Sequence, residues 1–174
     1  LFVVDVNYPE QIILQHPVNN PEQVLITSTN GEDVIMILSA GVLSAISLSG
    51  EEIQLGISDQ DISLISTNGL EYAYVTESSK TSINIGRIGT LGSIAYEMNA
   101  TAPQEQDEVL EQWGTPVDMD NASITQIEFD ATYIVSSINV SSVDRLVLLE
   151  RTSNEQWIVG DGKYSAVDPS LSNG

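Results

Sequence analysis

Short runs of β-branched and other apolar residues, separated by turn-forming residues, recur along most of this chain. Such runs lie at residues 2–6, 11–14, 24–28, 34–38, 62–66 and 72–76. Runs of about four to eight residues bounded by Gly, Pro, Asn and Ser are typical of strands, and β-branched residues favour an extended backbone. The sequence therefore predicts an all-β fold of short antiparallel strands, arranged as a sandwich, jelly roll or β-barrel.

Two Asn-Gly pairs, Asn30-Gly31 and Asn68-Gly69, stand in similar sequence surroundings. The first follows Ile-Thr-Ser-Thr, the second follows Ile-Ser-Thr, and the pairs are 38 residues apart. Asn-Gly favours a type I′ turn, because both central residues of that turn need a positive φ. We expect a hairpin at each pair. The recurrence indicates either an internal repeat of hairpin units or reuse of one turn in a chain rich in Ser, Thr and Asn.

The segment 103–113 departs from the strand pattern. Thr101 suits a helix cap, Pro103 suits the first turn, and carboxylates follow near the positive end of the helix dipole. Gly114 supplies a stop. The sequence therefore predicts one short helix near 103–113.

A later segment alternates strictly between apolar and more polar residues. The apolar positions are Ile127, Phe129, Ala131, Tyr133 and Val135. Alternation with a period of two is the pattern of a half-buried strand, so we expect one continuous strand over 124–135.

The length of 174 residues suits one domain. We expect a single β-rich domain over 1–166, with two small β subdomains meeting near 99–120 as the alternative. Residues 167–174, with Pro, Ser, Asn and Gly, have the composition of a loop or linker.

Acidic residues dominate the charge of the chain. Lys and Arg together number 5 against 25 Asp and Glu, so the formal net charge is −20, and residues 1–79 contain no Lys or Arg. A duplex-binding protein needs a basic surface to neutralise phosphates, which excludes nucleic acid as a partner. No segment approaches the roughly 20 apolar residues of a membrane-spanning helix, so we expect no membrane span. An acidic surface of this kind suits a saline or extracellular setting.

The residues needed for most catalytic sites are scarce. Cysteine is absent and His16 is the single histidine, which excludes disulfide scaffolds, thiol catalysis and cysteine-type zinc sites. A Ser-His-Asp triad would have to use His16, and no serine stands in a Gly-x-Ser-x-Gly elbow. We therefore expect no enzyme.

Calcium is the one cofactor that the sequence leaves open. Asp118, Asp120 and Asn121 supply alternating oxygen ligands, and Asp59 and Asp61 do so on a shorter scale. Hard oxygen ligands suit calcium, but neither segment matches a twelve-residue calcium loop. The alternative is that both are solvated turns.

Three Asn-x-Ser/Thr sequons begin at Asn99, Asn121 and Asn139. In a secreted protein they are candidate glycosylation sites. A chain rich in Asn, Ser and Thr also produces such triplets by chance.

The N-terminal segment is the candidate assembly site. Leu1, Phe2, Val3, Val4 and Val6 form an apolar strand that only Asp5 interrupts. An unpaired strand is an aggregation hazard unless it is covered. Either it pairs within its own domain, or it adds to the sheet of a neighbour as a donor strand.

These observations favour a non-enzymatic structural protein of a larger assembly. The setting that we expect is a virion surface, as a capsid decoration, minor capsid or fibre protein, with copies of itself or other subunits as partners. The alternative is an extracellular or cell-surface β module, such as an adhesin domain or a secreted filament subunit, joined by donor-strand pairing through residues 1–6.

Overall fold

A computed structural model describes residues 1–5, 7–57, 61–98, 121–140 and 143–159. Within these ranges the chain forms thirteen strands: β1 Phe2–Val4, β2 Ile12–Gln15, β3 Pro21–Thr29, β4 Glu32–Ser39, β5 Val42–Ser47, β6 Ile62–Thr67, β7 Glu71–Thr76, β8 Ser79–Arg87, β9 Ser93–Glu97, β10 Ser123–Phe129, β11 Tyr133–Val140, β12 Val143–Glu150 and β13 Gln156–Val159. The all-β prediction is confirmed. The predicted helix at 103–113 lies outside the described residues.

Each of the four sheets consists of strands that are consecutive in the chain. The sheets are an N-terminal ribbon (β1-β2), a second sheet (β3-β4-β5), a third sheet (β6-β7-β8-β9) and a fourth sheet (β10-β11-β12-β13). The pairings within the ribbon and within the second and fourth sheets, and that of β6 with β7, are antiparallel. A simple meander of hairpins therefore accounts for every sheet.

The chain divides into two compact units. The first contains Leu1–Glu77 and Ile85–Ile94, and the second contains Ser78–Asn84 and Ala95–Gly174. The predicted linker at 167–174 lies outside the described residues, and the predicted domain limits stay predictions.

The Asn30-Gly31 turn is the predicted tight hairpin. Asn30 has a φ of 53° and Gly31 a φ of 82°, and Thr29 pairs directly with Glu32 across the turn. Ala40 and Gly41 form a second such turn between β4 and β5, with φ values of 49° and 74°.

The Asn68-Gly69 turn also joins two paired strands, but its geometry differs. Gly69 has a positive φ and Asn68 does not. Instead, the Asn68 side-chain oxygen accepts hydrogen bonds from the backbone N–H groups of Leu70 and Glu71, at 3.2 and 2.9 Å. This side-chain turn is longer than the first one, so the two Asn-Gly pairs do not form identical hairpins.

Strand β4 is buried on both of its faces. Its five central residues, Val34 to Leu38, are at most 1% exposed. On one face, Val34, Met36 and Leu38 pack with Leu43 and Ala45, with four residues of the third sheet and with one residue just after β8: Ile62, Ile65, Tyr72, Tyr74 and Ile88. On the other face, Ile35 and Ile37 pack with residues of the ribbon. The second sheet is therefore the middle layer of three within the first unit, which explains a continuous apolar run in an antiparallel sheet.

The predicted continuous strand over 124–135 is wrong. The chain turns at residues 130–132 between β10 and β11. The Asp130 carboxylate accepts hydrogen bonds from the backbone N–H groups of Thr132 and Tyr133, each at 2.7 Å. The Asp130 side chain takes backbone donors that a continuing strand would use, and so ends the strand. In the sequence, the alternation of apolar residues nevertheless continues through the turn.

The second unit has its own central strand. Residues 134–138 of β11 are all buried, and β11 lies between β10 and β12. At the edge of this unit Arg151 lies over the ring of Tyr96, at 5.8 Å from its centroid, and donates to the backbone oxygen of Asp130 at 2.6 Å.

One side chain links the second and third sheets of the first unit. The amide of Gln23 donates to the backbone oxygen of Ile65 at 3.0 Å and accepts from the backbone N–H of Ile65 at 3.1 Å. It thereby satisfies both backbone polar groups of Ile65 at the outer edge of β6, which pairs with none of the described strands.

We expect Gln23→Met to lower the free energy of unfolding by about 1–3 kcal/mol, because it leaves both backbone groups of Ile65 without their partner. Urea unfolding measures the loss. Gln54→Met, at an exposed position, is the control and should change stability by less than about 0.5 kcal/mol. Equal effects of the two variants would show that the Gln23 bridge contributes nothing.

Candidate functional site: the N-terminal ribbon

The N-terminal strand pairs within its own chain. In the ribbon, Phe2 lies opposite Gln15, Val3 opposite Leu14, and Val4 opposite Ile12 after an irregularity. The pairing extends to Leu1, whose backbone nitrogen donates to the oxygen of His16 at 2.9 Å, while the N–H of His16 donates to the oxygen of Leu1 at 3.0 Å. The ribbon is therefore a closed hairpin from Leu1 to His16.

The inner face of the ribbon belongs to the core of the first unit. Leu14 is 8% exposed and packs with Ile35, Ile37 and Ile46 of the second sheet. Leu1 and Val3 are partly buried against the same cluster. This face fixes the ribbon on the second sheet.

The outer face of the ribbon is apolar and open to solvent. Directly opposed residues of an antiparallel pair share a face, which places Phe2, Val4 and Ile12 together on the side away from the core. The exposed apolar side chains of the ribbon and its loop are Phe2 at 62%, Val4 at 45%, Tyr8 at 56%, Ile12 at 56% and Ile13 at 47%. We call these five residues the ribbon patch. Contiguous exposed apolar patches mark interaction sites.

The loop of the ribbon is tightly folded and acidic. The N–H of Tyr8 donates to the backbone oxygen of Asp5 at 3.2 Å, and the N–H of Gln11 donates to the oxygen of Tyr8 at 2.8 Å. The Asp5 carboxylate accepts from the N–H of Asn7 at 2.7 Å. With Glu10 also in this loop, the ribbon patch adjoins carboxylates in a region of sequence without Lys or Arg.

The structure divides the predicted assembly residues into two groups. Leu1 and Val3 face the core, Phe2 and Val4 face solvent, and Val6 lies outside the described residues. Tyr8, Ile12 and Ile13 were missed. Their signal was available in the sequence, because the apolar run at 11–14 follows the N-terminal strand at hairpin distance. The role of the ribbon in assembly stays a prediction.

The structure describes only some of the other candidate residues. Asp118, Asp120 and Asn99 lie outside the described residues, and Asn121 is exposed. The side chain of Asn139 donates to the Asp144 carboxylate at 2.7 Å, so a glycan there would have to replace this hydrogen bond. Calcium binding and glycosylation stay predictions.

Two features of the described ranges bear on metals and membranes. They contain no group of three or more His, Asp or Glu side chains that could hold a metal ion. They also contain no helix long and apolar enough to cross a bilayer. The half-buried His16 takes part in the ribbon through its backbone.

Comparison of the chain with protein-family models, with curated proteins and with solved structures gave no match.

Proposed function

We propose that this chain is a non-enzymatic structural subunit of a larger assembly and that it contacts its neighbours through the ribbon patch. The setting that we propose is a virion surface. The alternative is an extracellular or cell-surface module, which the exposed sequon residue Asn121 favours.

The observation that carries this proposal is the exposure of the ribbon patch. The inner side chains of the same two short strands pack against the core, whereas the outer apolar residues are 45–62% exposed. Apolar surface that a neighbour covers contributes to association at about 25 cal/mol per Å² before the costs of binding. The patch is therefore suited to an interface.

The acidic charge of the chain also supports the ribbon patch as an interface with a specific partner. A net charge of −20 keeps isolated copies apart by repulsion, and it protects a protein with an apolar patch from indiscriminate association. Specific binding then depends on a partner that fits both the patch and its acidic surroundings.

The experiment is removal of the patch without loss of the ribbon. We expect Phe2→Thr with Ile12→Thr to abolish assembly, measured by light scattering and electron microscopy of particles from the native source. Unfolding should change little, since both residues are exposed and threonine suits a strand. Ile94→Thr, at a residue that is 61% exposed in β9, is the matched control. Normal assembly of the double variant would refute the proposal.

A crosslink separates docking of the intact ribbon from donor-strand exchange. Phe2 and Gln15 are directly opposed, and the chain has no native cysteine, so Phe2→Cys with Gln15→Cys can form one disulfide that holds β1 on β2. Phe2→Cys alone is the reference, because it removes the same patch side chain. Assembly equal to this reference in both redox states would support docking with β1 in place. Assembly in the reduced state alone would show that β1 leaves the ribbon and acts as a donor strand.

A further inference from the structure

The ribbon covers the second sheet incompletely. It has two strands, whereas the second sheet has three, and stacked sheets share nearly the same strand spacing. The covered residues Ile35, Ile37 and Ile46 belong to β4 and β5. Among the described residues, no strand covers β3 on this face.

The uncovered part of β3 is apolar. Val24 pairs with Ile37, and Ile26 pairs with Ile35, so Val24 and Ile26 share the face on which the ribbon lies. Ile37 and Ile35 are 1% and 0% exposed, whereas Val24 is 37% and Ile26 is 65% exposed. We call Val24 and Ile26 the β3 strip.

The free edge of the ribbon lies on the side of this strip. Leu14 of β2 is 3.4 Å from the place that a Cβ on Gly50 would occupy, just after β5. This contact puts Leu14 of β2 beside the turn that follows β5. Since β1 pairs with one edge of β2, the arrangement consistent with this contact has β1 on the β3 side.

The backbone of Phe2 points out from that edge. Leu1 and His16 exchange both backbone hydrogen bonds, and hydrogen-bonded pairs alternate with non-hydrogen-bonded pairs along an antiparallel ladder. The N–H and C=O of Phe2 are therefore directed away from β2, where an added strand would pair with them.

Carboxylates stand at both ends of the β3 strip. Ser28, two residues beyond Ile26, donates a hydrogen bond to the Asp33 carboxylate, and Glu22, two residues before Val24, is exposed and accepts from the N–H of Ala40 at 3.0 Å. No Lys or Arg occurs in residues 1–79 to neutralise them.

We propose that the edge of β1 and the β3 strip together accept one extended strand of a partner protein, with apolar residues at alternate positions and Lys or Arg at both ends. The strand pairs with β1 by β-augmentation, its apolar side chains cover Val24 and Ile26, and its cations face Glu22 and Asp33. This inference deepens the proposed function and rests on it for the identity of the partner as a neighbouring subunit.

The charge pattern disfavours a second copy of this chain as the occupant. Two copies would each bring a net charge of −20, and like charges across an interface oppose association. A basic strand from a different protein is instead attracted by the negative charge of this chain.

The test uses a seven-residue peptide with lysine at positions 1 and 7, valine at 3 and 5, and threonine elsewhere, added to the isotope-labelled full chain. In a strand, its lysines and valines lie on one face. We expect amide shifts at Phe2, Val24 and Ile26, and binding that weakens as salt is added. We expect Ile26→Lys to weaken binding by about tenfold or more. Val42→Lys, at a 47% exposed residue on the opposite edge strand, has the same net charge and is the control.

Four results would overturn the inference: no shifts at millimolar peptide, equal binding of the peptide with glutamate in place of lysine, equal loss in both lysine variants, or self-association of the chain that Ile26→Lys abolishes. The last result would assign the site to a second copy. Any of these can occur while particles of the native protein still depend on the ribbon patch, so the proposed function and this inference fail separately.

Discussion

Replacing Gly56 by alanine is expected to lower the free energy of unfolding of the first unit by about 3 kcal/mol. A Cβ at this position would lie 2.0 Å from the backbone nitrogen of Gly92 and 2.6 Å from the Cα of Leu91. Backbone atoms cannot rotate away as a flexible side chain can, so the two segments would have to separate. Urea unfolding with amide hydrogen exchange in β6 and β7 would measure and locate the loss.

Gly89→Ala is the control for the substitution itself. A Cβ on Gly89 meets nothing within 4 Å, and its φ of +77° leaves only the backbone strain of alanine in that region, about 1 kcal/mol. If Gly56→Ala costs no more than Gly89→Ala, the close approach of residue 56 to residues 91–92 does not exist in solution.

The second large loss of stability is expected when a buried side chain of β4 is shortened to alanine, first on one face of the strand and then on the other. Ile35 and Met36 are adjacent and each is 0% exposed, but they belong to two different clusters. We expect Ile35→Ala and Met36→Ala each to cost about 2–5 kcal/mol. Because their side chains belong to different clusters on opposite faces, any departure of the double variant from the sum of the two losses measures how strongly the faces are coupled through the shared backbone of β4. Urea unfolding measures all three.

Ile26→Ala provides the reference for a residue of the same sheet that stays in solvent, and it should cost less than about 0.5 kcal/mol. A small loss from Ile35→Ala beside a large one from Met36→Ala would mean that the ribbon does not cover the second sheet. The first unit would then have two layers, and both the ribbon patch and the β3 strip would need another explanation.

Local rules predicted most of the strands and one turn. The Asn30-Gly31 hairpin followed directly from the left-handed backbone that both residues tolerate. The similar turn at Ala40-Gly41 was not predictable, because alanine rarely adopts a positive φ. Here the pairing of β4 with β5 on both sides holds Ala40 in that region.

Hydrophobic alternation misled where a turn kept the period of the strands on either side. From Ile127 to Val135 the apolar positions continue in step, while the Asp130 carboxylate captures two backbone donors and reverses the chain. Val135 lies opposite Glu128 and therefore on the other face of the sheet from Ile127 and Phe129. Alternation reports the face of a residue only within one strand, and it does not report whether the chain has changed strands.

The composition of the candidate site was predictable, but its geometry was not. Residues 1–4 are apolar throughout, so nothing local separates inward Leu1 and Val3 from outward Phe2 and Val4. The register with β2 and the cover that β4 and β5 provide make that distinction, and both depend on contacts distant in sequence.

Two glycines show the same limit of local reasoning. Neither Gly56 nor Gly86 has a positive φ. Glycine is required at these positions only because atoms distant in sequence occupy the place of a Cβ. A Cβ on Gly86 would lie 2.4 Å from the ring and hydroxyl of Tyr72. The burial that this close packing brings raises the pKa of the Tyr72 phenol, and the backbone of Gly56 lowers it in part.

The consecutive order of strands in every sheet has a kinetic consequence. Among the described strands, every ladder joins neighbours in the chain, so each sheet needs only the closure of the short loops between them. All-β proteins usually fold slowly because their pairings are remote in sequence. This chain is expected to escape that delay, forming one meander after another in the order in which the ribosome releases them.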